Sequence, residues 1–306
     1  LVNINSYGFR SKYKTITKKV DSKRILLFGD SEVFGVGVDE GSMLDVLMEK
    51  LLNEDNKFKY EIVNLGMPNL GTLAQEKLFE IYKEQFDPDA IIFIVTTAND
   101  LSDNVLYSLK QKGIDHHSLG MELPSEKPKL YLIAFAKWQL IPLLAKYGFF
   151  RKTIMRIFKP SKLDLPHYVR EWYEGKWLKE GLPLMTGAVS RINEKCKKEN
   201  IDMIIASIPC RVQFNKGYKE IMELLIPENI LKEINNDKDR PQRIIEELCN
   251  KNSIHYIEVL DKFIYLSQKE NIILKHPRDG HLNKRGTLEI SKILAEGIKK
   301  IYGNNF

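Results

Sequence analysis

The sequence predicts an α/β fold: a flavodoxin-like three-layer α/β/α sandwich around a five-stranded parallel sheet, with a large helical insertion. Short apolar runs alternate with segments of helical periodicity, which is typical of a parallel sheet covered by helices. The run AIIFIVTT (90–97) is apolar throughout and rich in β-branched residues, as in a strand buried on both faces. Glycine-rich or polar motifs follow several of the runs, where strands would end.

The first half of the chain supplies three predicted strands, at 24–28, 60–65 and 90–97. Between the first two, apolar residues recur with the spacing of one helix face; they are Leu44, Leu47, Met48, Leu51 and Leu52. A second helix is predicted from about residue 74 to 85. Residues 1–23 are polar and lysine-rich, and we interpret them as an N-terminal arm on a domain that spans 24–306.

The strand–helix alternation stops after the third strand and resumes near residue 184. A helix at 184–199 and the strand DMIIASI (202–208) are followed by a polar helical stretch at 216–251. The last predicted elements are the strand HYIEVL (255–260) and a helix at 284–302.

Residues 101–181 form the predicted helical insertion. Its segment 129–159 mixes large apolar residues with lysine and arginine, and Pro142 and Gly148 interrupt it, which argues against a spanning helix. We favour a lid over the active rim. Peripheral contact with a membrane surface and a dimer interface remain alternatives, and the sequence does not indicate an oligomeric state.

Composition restricts the classes of function. The chain has 306 residues, 43% of them hydrophobic and 29% charged, which is typical of a globular protein. The net charge of +6 comes from lysines spread along the chain, and no basic element with interleaved aromatic residues indicates nucleic-acid binding. The three cysteines are far apart and without zinc spacing, so neither a metal nor an organic cofactor is expected.

The ends of the predicted strands gather chemically useful side chains. Ser31 follows the first strand in GDS, Asn99 follows the third in TAND, and Asp279 and His281 precede the last helix in DGHLN. In a doubly wound sheet these positions share the rim where active sites lie. Taken singly, each has a structural interpretation: a turn serine, a capping or surface histidine, an aspartate near a helix start.

Together, four blocks in this order resemble the SGNH (GDSL-type) hydrolases: GDS, VNLGMPNLGT, TAND and DGHLN. The resemblance implies that Ser31 is the nucleophile, that His281 takes its proton, and that Asp279 orients the imidazole. It also implies an oxyanion hole formed by the N–H of Ser31, an N–H of the second block and the side chain of Asn99.

The second block departs from the family pattern. Asn69 stands where the family usually has glycine; asparagine tolerates the left-handed conformation, so its N–H is the predicted donor. Gly66 and Gly71 are alternatives and candidate substrate-binding positions. Arg211, after the fourth strand, is a further candidate for binding an anionic group, although its position favours a surface role over binding.

The resemblance implies a serine esterase that acts through an acyl–Ser31 intermediate, on short acyl esters such as acetyl groups of a carbohydrate. O-acyl transfer to a surface polysaccharide and a non-catalytic glycan- or partner-binding module are the alternatives. The expected partner is a small-molecule or glycan ester, not a nucleic acid. Amino-acid usage rich in lysine, isoleucine and asparagine is typical of AT-rich bacterial genomes, and a start at Leu1 favours an exported or membrane-anchored protein over a cytoplasmic one.

Overall fold

The computed structural model describes residues 2–11, 17–54, 59–114, 171–173, 175, 177–217, 228–277 and 279–303. The apolar segment 129–159, with its predicted roles as lid, membrane contact or dimer interface, lies outside these residues. Within the described part of the chain, no helix is both long enough and apolar enough to cross a bilayer.

A five-stranded, all-parallel sheet forms the centre of the protein, in the order β2-β1-β3-β4-β5. The strands are β1 (Ser22–Phe28), β2 (Lys59–Asn64), β3 (Ala90–Thr96), β4 (Asp202–Ile208) and β5 (His255–Ile257). This order confirms the flavodoxin-like prediction. Because β1 and β3 are neighbours whose following connections run to opposite sides of the sheet, a crevice opens at their carboxyl ends.

Ten α-helices are described. They are α1 (Ser31–Phe34), α2 (Leu44–Asn53), α3 (Thr72–Phe86), α4 (Asp100–Gln111), α5 (Leu182–Glu199), α6 (Arg211–Phe214), α7 (Glu228–Asn236), α8 (Arg240–Asn252), α9 (Leu260–Gln268) and α10 (Lys284–Tyr302). A 3₁₀ turn covers Glu40–Ser42 and a π-helical turn covers Trp177–Gly181. The first residues of the predicted insertion are thus helix α4.

Two apolar cores give the sandwich its three layers. On one face of the sheet, Phe79 and Phe86 of α3 pack with Ile192 of α5 and Ile245 of α8. On the other face, α2, α9 and α10 cover the sheet; their buried members include Leu44, Met48, Phe263, Ile290 and Leu294. All seven residues of β3 are buried, as the apolar run predicted.

The prediction of a strand at 255–260 was wrong for its second half. Pairing with β4 ends at Ile257, and the carboxylate of Glu258 then accepts hydrogen bonds from the backbone N–H groups of Leu260 and Asp261. Those N–H groups belong to the first turn of α9, so Glu258 initiates a helix where the sequence suggested continued strand.

The polar stretch 216–251 is likewise not one helix. Helix α7 ends at Asn236 and α8 begins at Arg240. Between them, Asp237 accepts from the guanidinium of Arg240 at 2.7 Å, and Pro241 lies in the first turn of α8, where proline is tolerated.

The N-terminal arm contacts the loop that follows α1. The Arg10 side chain is buried and donates to the carbonyl oxygens of Gly35 and, at 2.7 Å, Val38. Phe9, the residue before it, belongs to the core on the α3 side of the sheet. The arm therefore fixes the loop that follows β1 and α1.

Candidate active site

Ser31 begins a single helical turn directly after β1. Asp30 caps this turn: its Oδ1 accepts from the N–H of Glu32 at 2.9 Å, and Gly35 ends it with φ of 81°. A side chain at Gly29 would come within 2.2 Å of Val33, so the tight strand-to-helix turn requires glycine at that position. As the first residue of the turn, Ser31 has a backbone N–H with no intrahelical acceptor.

His281 lies within hydrogen-bond distance of Ser31. Its Nε2 is 3.0 Å from the Ser31 Oγ, although the two residues are 250 positions apart in the chain. This is the contact a general base needs in order to take a proton from a serine hydroxyl. The structure therefore brings His281 of DGHLN and Ser31 of GDS together at one rim.

Asp279 is near the imidazole but does not hold it tightly. Its Oδ1 accepts from the backbone N–H of His281 at 3.0 Å and lies 3.6 Å from Nδ1 of the ring, beyond hydrogen-bond distance. The Asp279 side chain is 51% exposed, and Nδ1 is buried without a hydrogen-bond partner among the described residues. The orienting role of Asp279 stays a prediction.

Asn99 lies at the start of α4, beside the cap of the serine turn. Its Nδ2 is 3.1 Å from Oδ2 of Asp30 and 2.6 Å from Oδ2 of Asp103. An amide NH₂ has two hydrogens, and in this arrangement both point at carboxylates. Donation to an oxyanion, the predicted role of Asn99, requires that one of these contacts be exchanged.

Four carboxyl groups cluster around Asn99: Asp30, Asp100, Asp103 and Glu171. Burial raises the pKa of each of them. Repulsion within the cluster adds to this effect for Asp100, Asp103 and Glu171, whereas for Asp30 the repelling carboxylate is Glu32. For Asp103 the raised pKa is about 7, because burial and the neighbouring Asp30 both disfavour its anion. Only part of the cluster is therefore ionised near neutral pH.

We expect the cluster to make the protein more stable in mild acid than at neutral pH. The pKa of Asp103 is raised from 3.8 to about 7 on folding, so the native state binds the proton more tightly than the unfolded state. The free energy of unfolding should then fall as pH rises from about 4 to about 7, by about 2 kcal/mol after allowance for partial exposure.

Urea unfolding of the wild type and of Asp103→Asn at pH 5 and pH 8 measures this effect. The variant keeps an oxygen acceptor for Asn99 but does not ionise, so its stability should change less between the two pH values. Asp261→Asn, on the exposed face of α9, is the matched control. A wild type that gains stability from pH 5 to pH 8, or a variant with an unchanged slope, would contradict the assignment.

The second block contributes one left-handed residue and two close packing contacts. Asn69 is exposed with φ of 61°, the conformation expected of it. Gly66 donates its N–H to Oδ1 of Asn64, and a side chain there would meet the backbone of Phe34 at 2.5 Å. A side chain at Gly71 would meet α4 within 3.0 Å. Direct roles of these residues in binding an oxyanion or substrate stay predictions.

Arg211 lies on the same rim and contacts the histidine loop. Its guanidinium donates to the carbonyl oxygen of Pro277 at 2.8 Å and lies 3.3 Å from that of His276. These contacts support the loop that carries Asp279 and His281, and binding of an anionic group by Arg211 stays a prediction. The cysteines Cys196, Cys210 and Cys249 are free and buried.

Three site residues escaped the sequence analysis. Glu32 and Lys275 form a buried ion pair next to Ser31, and Asp103 binds the amide of Asn99. The sequence signal for Glu32 was a carboxylate between Ser31 and the apolar Val33. In the structure these residues form a one-turn helix in which Val33 is buried. In the described parts of the chain, no group of three or more histidine, cysteine, aspartate or glutamate residues could hold a metal ion.

Comparison with known proteins gives matches among solved structures alone. No family model matches the chain, and no curated protein matches its sequence. The chain is similar in structure to the esterase EstA from Pseudoalteromonas sp., with 11% identity, TM-score 0.48, and 92% of this chain and 98% of that chain covered. It is also similar to Axe2, an acetylxylan esterase from Geobacillus stearothermophilus, in the form of a catalytic mutant (10% identity, TM-score 0.48, 92% and 95% covered).

A third similar structure is a protein from Desulfitobacterium hafniense named as lipolytic and of the G-D-S-L family. It has 11% identity and TM-score 0.45, with 90% of this chain and 99% of that chain covered.

Proposed function

We propose that the protein is a serine ester hydrolase of the SGNH type that acts through an acyl–Ser31 intermediate. The observation that carries the proposal is the 3.0 Å contact between Ser31 Oγ and His281 Nε2 at the carboxyl end of β1. A hydroxyl is a weak nucleophile near neutral pH, and a neutral imidazole at this distance can accept its proton as the oxygen attacks.

The reaction divides into two steps. Ser31 Oγ attacks the ester carbonyl carbon while Nε2 of His281 takes the hydroxyl proton, and the protonated imidazole then gives that proton to the departing alcohol. Water next attacks the acyl–serine carbonyl, with the same imidazole taking its proton and returning it to Ser31. Charge develops on the carbonyl oxygen in both steps, and the N–H groups of Ser31 and Asn69 with the Asn99 amide are the proposed donors to it.

We propose short acyl esters, first of all acetyl groups on a carbohydrate, as the substrate class. The support is the resemblance of the four blocks to the SGNH hydrolases. An export route for the chain would fit such a substrate and is part of the same proposal.

The first experiment is intact-mass analysis after incubation with a fluorophosphonate probe, which reacts with activated serines. The wild type should gain one adduct, and Ser31→Ala should gain none. Ser190→Ala, a half-buried serine of α5 remote from the rim, is the control and should label like the wild type. A folded wild type that remains unlabelled, or an adduct that persists in Ser31→Ala, would contradict the proposal.

A further inference from the structure

A buried ion pair lies immediately beside the proposed nucleophile. Nζ of Lys275 is 2.7 Å from Oε1 of Glu32, the residue after Ser31, and the two side chains are 3% and 4% exposed. Removing two charges from water is costly, and an apolar pair of similar volume is often equally stable. The proposed acyl chemistry uses neither side chain directly, so the pair needs another explanation.

The hydrogen bond of the second carboxylate oxygen of Glu32 explains why the ion pair is there. Oε2 accepts from the backbone N–H of Leu282 at 2.8 Å, and Leu282 is the residue after His281. Glu32 therefore joins the neighbour of the serine to the neighbour of the histidine through one carboxylate. Because consecutive Cα atoms are about 3.8 Å apart, fixing these neighbours restricts where Ser31 and His281 can lie.

Glu32 also contacts both sides of the loop that carries the histidine. Lys275 and Leu282 face each other in an antiparallel bridge, and His276, Pro277 and residues 279–281 lie in the loop between them. Within the loop, the N–H of His276 donates to the carbonyl oxygen of His281 at 2.7 Å. The carboxylate thus holds the base of this loop against the serine turn, with one oxygen on each side.

We propose that Glu32, paired with Lys275, is a positioning residue that sets the distance between Ser31 and His281. The Asp279 carboxylate makes no hydrogen bond to the imidazole in the structure, since it is half exposed and 3.6 Å from Nδ1. The Lys275 ammonium neutralises the Glu32 carboxylate, so that Glu32 adds little negative charge where an oxyanion would form. The kinetic consequence of this inference rests on the proposed function; the geometric one does not.

Two double variants distinguish the effect of the hydrogen bond between Glu32 and the Leu282 N–H from the effect of the two charges. Glu32→Leu with Lys275→Met removes both charges and the acceptor of the Leu282 N–H. Glu32→Gln with Lys275→Gln also removes both charges but retains an amide oxygen that the N–H can reach. Thermal unfolding of each variant reports whether the fold is intact. Glu32→Asp, which keeps the charge but shortens its reach by one methylene, is an additional variant should the apolar pair not fold.

The decisive readout is independent of catalysis. The imidazole NMR signals of His281, assigned with His281→Gln, should shift in the wild type when Ser31 is replaced by alanine, because the hydroxyl contact is lost. In the Leu/Met background, and in Glu32→Asp, the Ser31→Ala replacement should no longer shift them. In the Gln/Gln background the shift should return. A folded Leu/Met protein that retains the wild-type shift would overturn the proposal.

Kinetics give the second readout. With p-nitrophenyl acetate, the Leu/Met variant should lose about 10- to 100-fold in kcat with KM within about threefold, since a displacement of about 1 Å can cost a factor of 100. The Gln/Gln variant should recover to within about fivefold of the wild type. Equal losses of kcat in the two double variants would contradict the positioning role of Glu32. If the wild type is inactive while the NMR shifts behave as expected, the proposed function fails and the positioning role stands.

Discussion

Replacement of His281 by alanine should lower kcat/KM for p-nitrophenyl acetate by about 10,000- to 1,000,000-fold, and Ser31→Ala should do the same. In the proposed reaction the serine and the histidine act as one unit across their 3.0 Å contact: without the imidazole the hydroxyl keeps its proton, and without the hydroxyl the imidazole has nothing to activate. The double variant should therefore be no slower than either single variant.

Stopped-flow and long-time-course assays over the same substrate range measure these losses. His276→Ala, which removes a second histidine from the same loop, is the matched control and should cost far less than His281→Ala. Additive losses in the Ser31/His281 double variant would show that the two residues act independently. A loss smaller than about tenfold in either single variant would mean that another group acts as nucleophile or base.

Replacement of Arg24 by methionine should destabilise the fold by about 3–5 kcal/mol. The Arg24 guanidinium is 1% exposed and binds Oε2 of Glu61 through Nε and Nη2, at 3.0 and 2.7 Å, while Nη1 donates to the Phe86 carbonyl oxygen at 2.7 Å. Arg24 and Glu61 are register partners on β1 and β2, at the end of the sheet opposite the active rim. The single change leaves a buried carboxylate without its main counter-charge.

Urea unfolding of Arg24→Met, and of Arg24→Met combined with Glu61→Leu, tests this prediction. The double variant should recover most of the loss, because no buried charge remains. Lys77→Ala removes an exposed pair with Glu80 and should change the free energy of unfolding by less than about 1 kcal/mol. A double variant less stable than Arg24→Met would contradict the argument.

The sheet was predictable because its signals are local. β3 is a run of seven buried residues, and the segment DMIIASI coincides with β4. The helix α9 was missed although Leu260, Phe263 and Leu266 recur every third residue, because the apolar run before it was assigned wholly to a strand. The cause of the early strand end, the capping carboxylate of Glu258, is a single polar residue inside an apolar context.

The site was predictable only in part, for a different reason. Ser31 and His281 follow recognisable motifs, whereas the partners that hold them are defined by distance in space. Glu32 and Lys275 are 243 positions apart, and nothing in either local sequence indicates the other. Asn99 and Asp103 are one helical turn apart, so their contact is local. The other contact of the Asn99 amide is with the Asp30 carboxylate, which comes from a different strand end and is not indicated by the local sequence.

The separation of Ser31 and His281 along the chain also orders events during biosynthesis. A ribosome adding about 5–20 residues per second needs about 10–50 s to travel from the serine codon to the histidine codon. Throughout that interval the nascent chain carries a serine without its base. Helix α10, which follows the histidine loop, packs against α2 next to the serine turn. Under the proposed mechanism, acyl chemistry would therefore begin only after the histidine loop has been made and has folded against the serine turn.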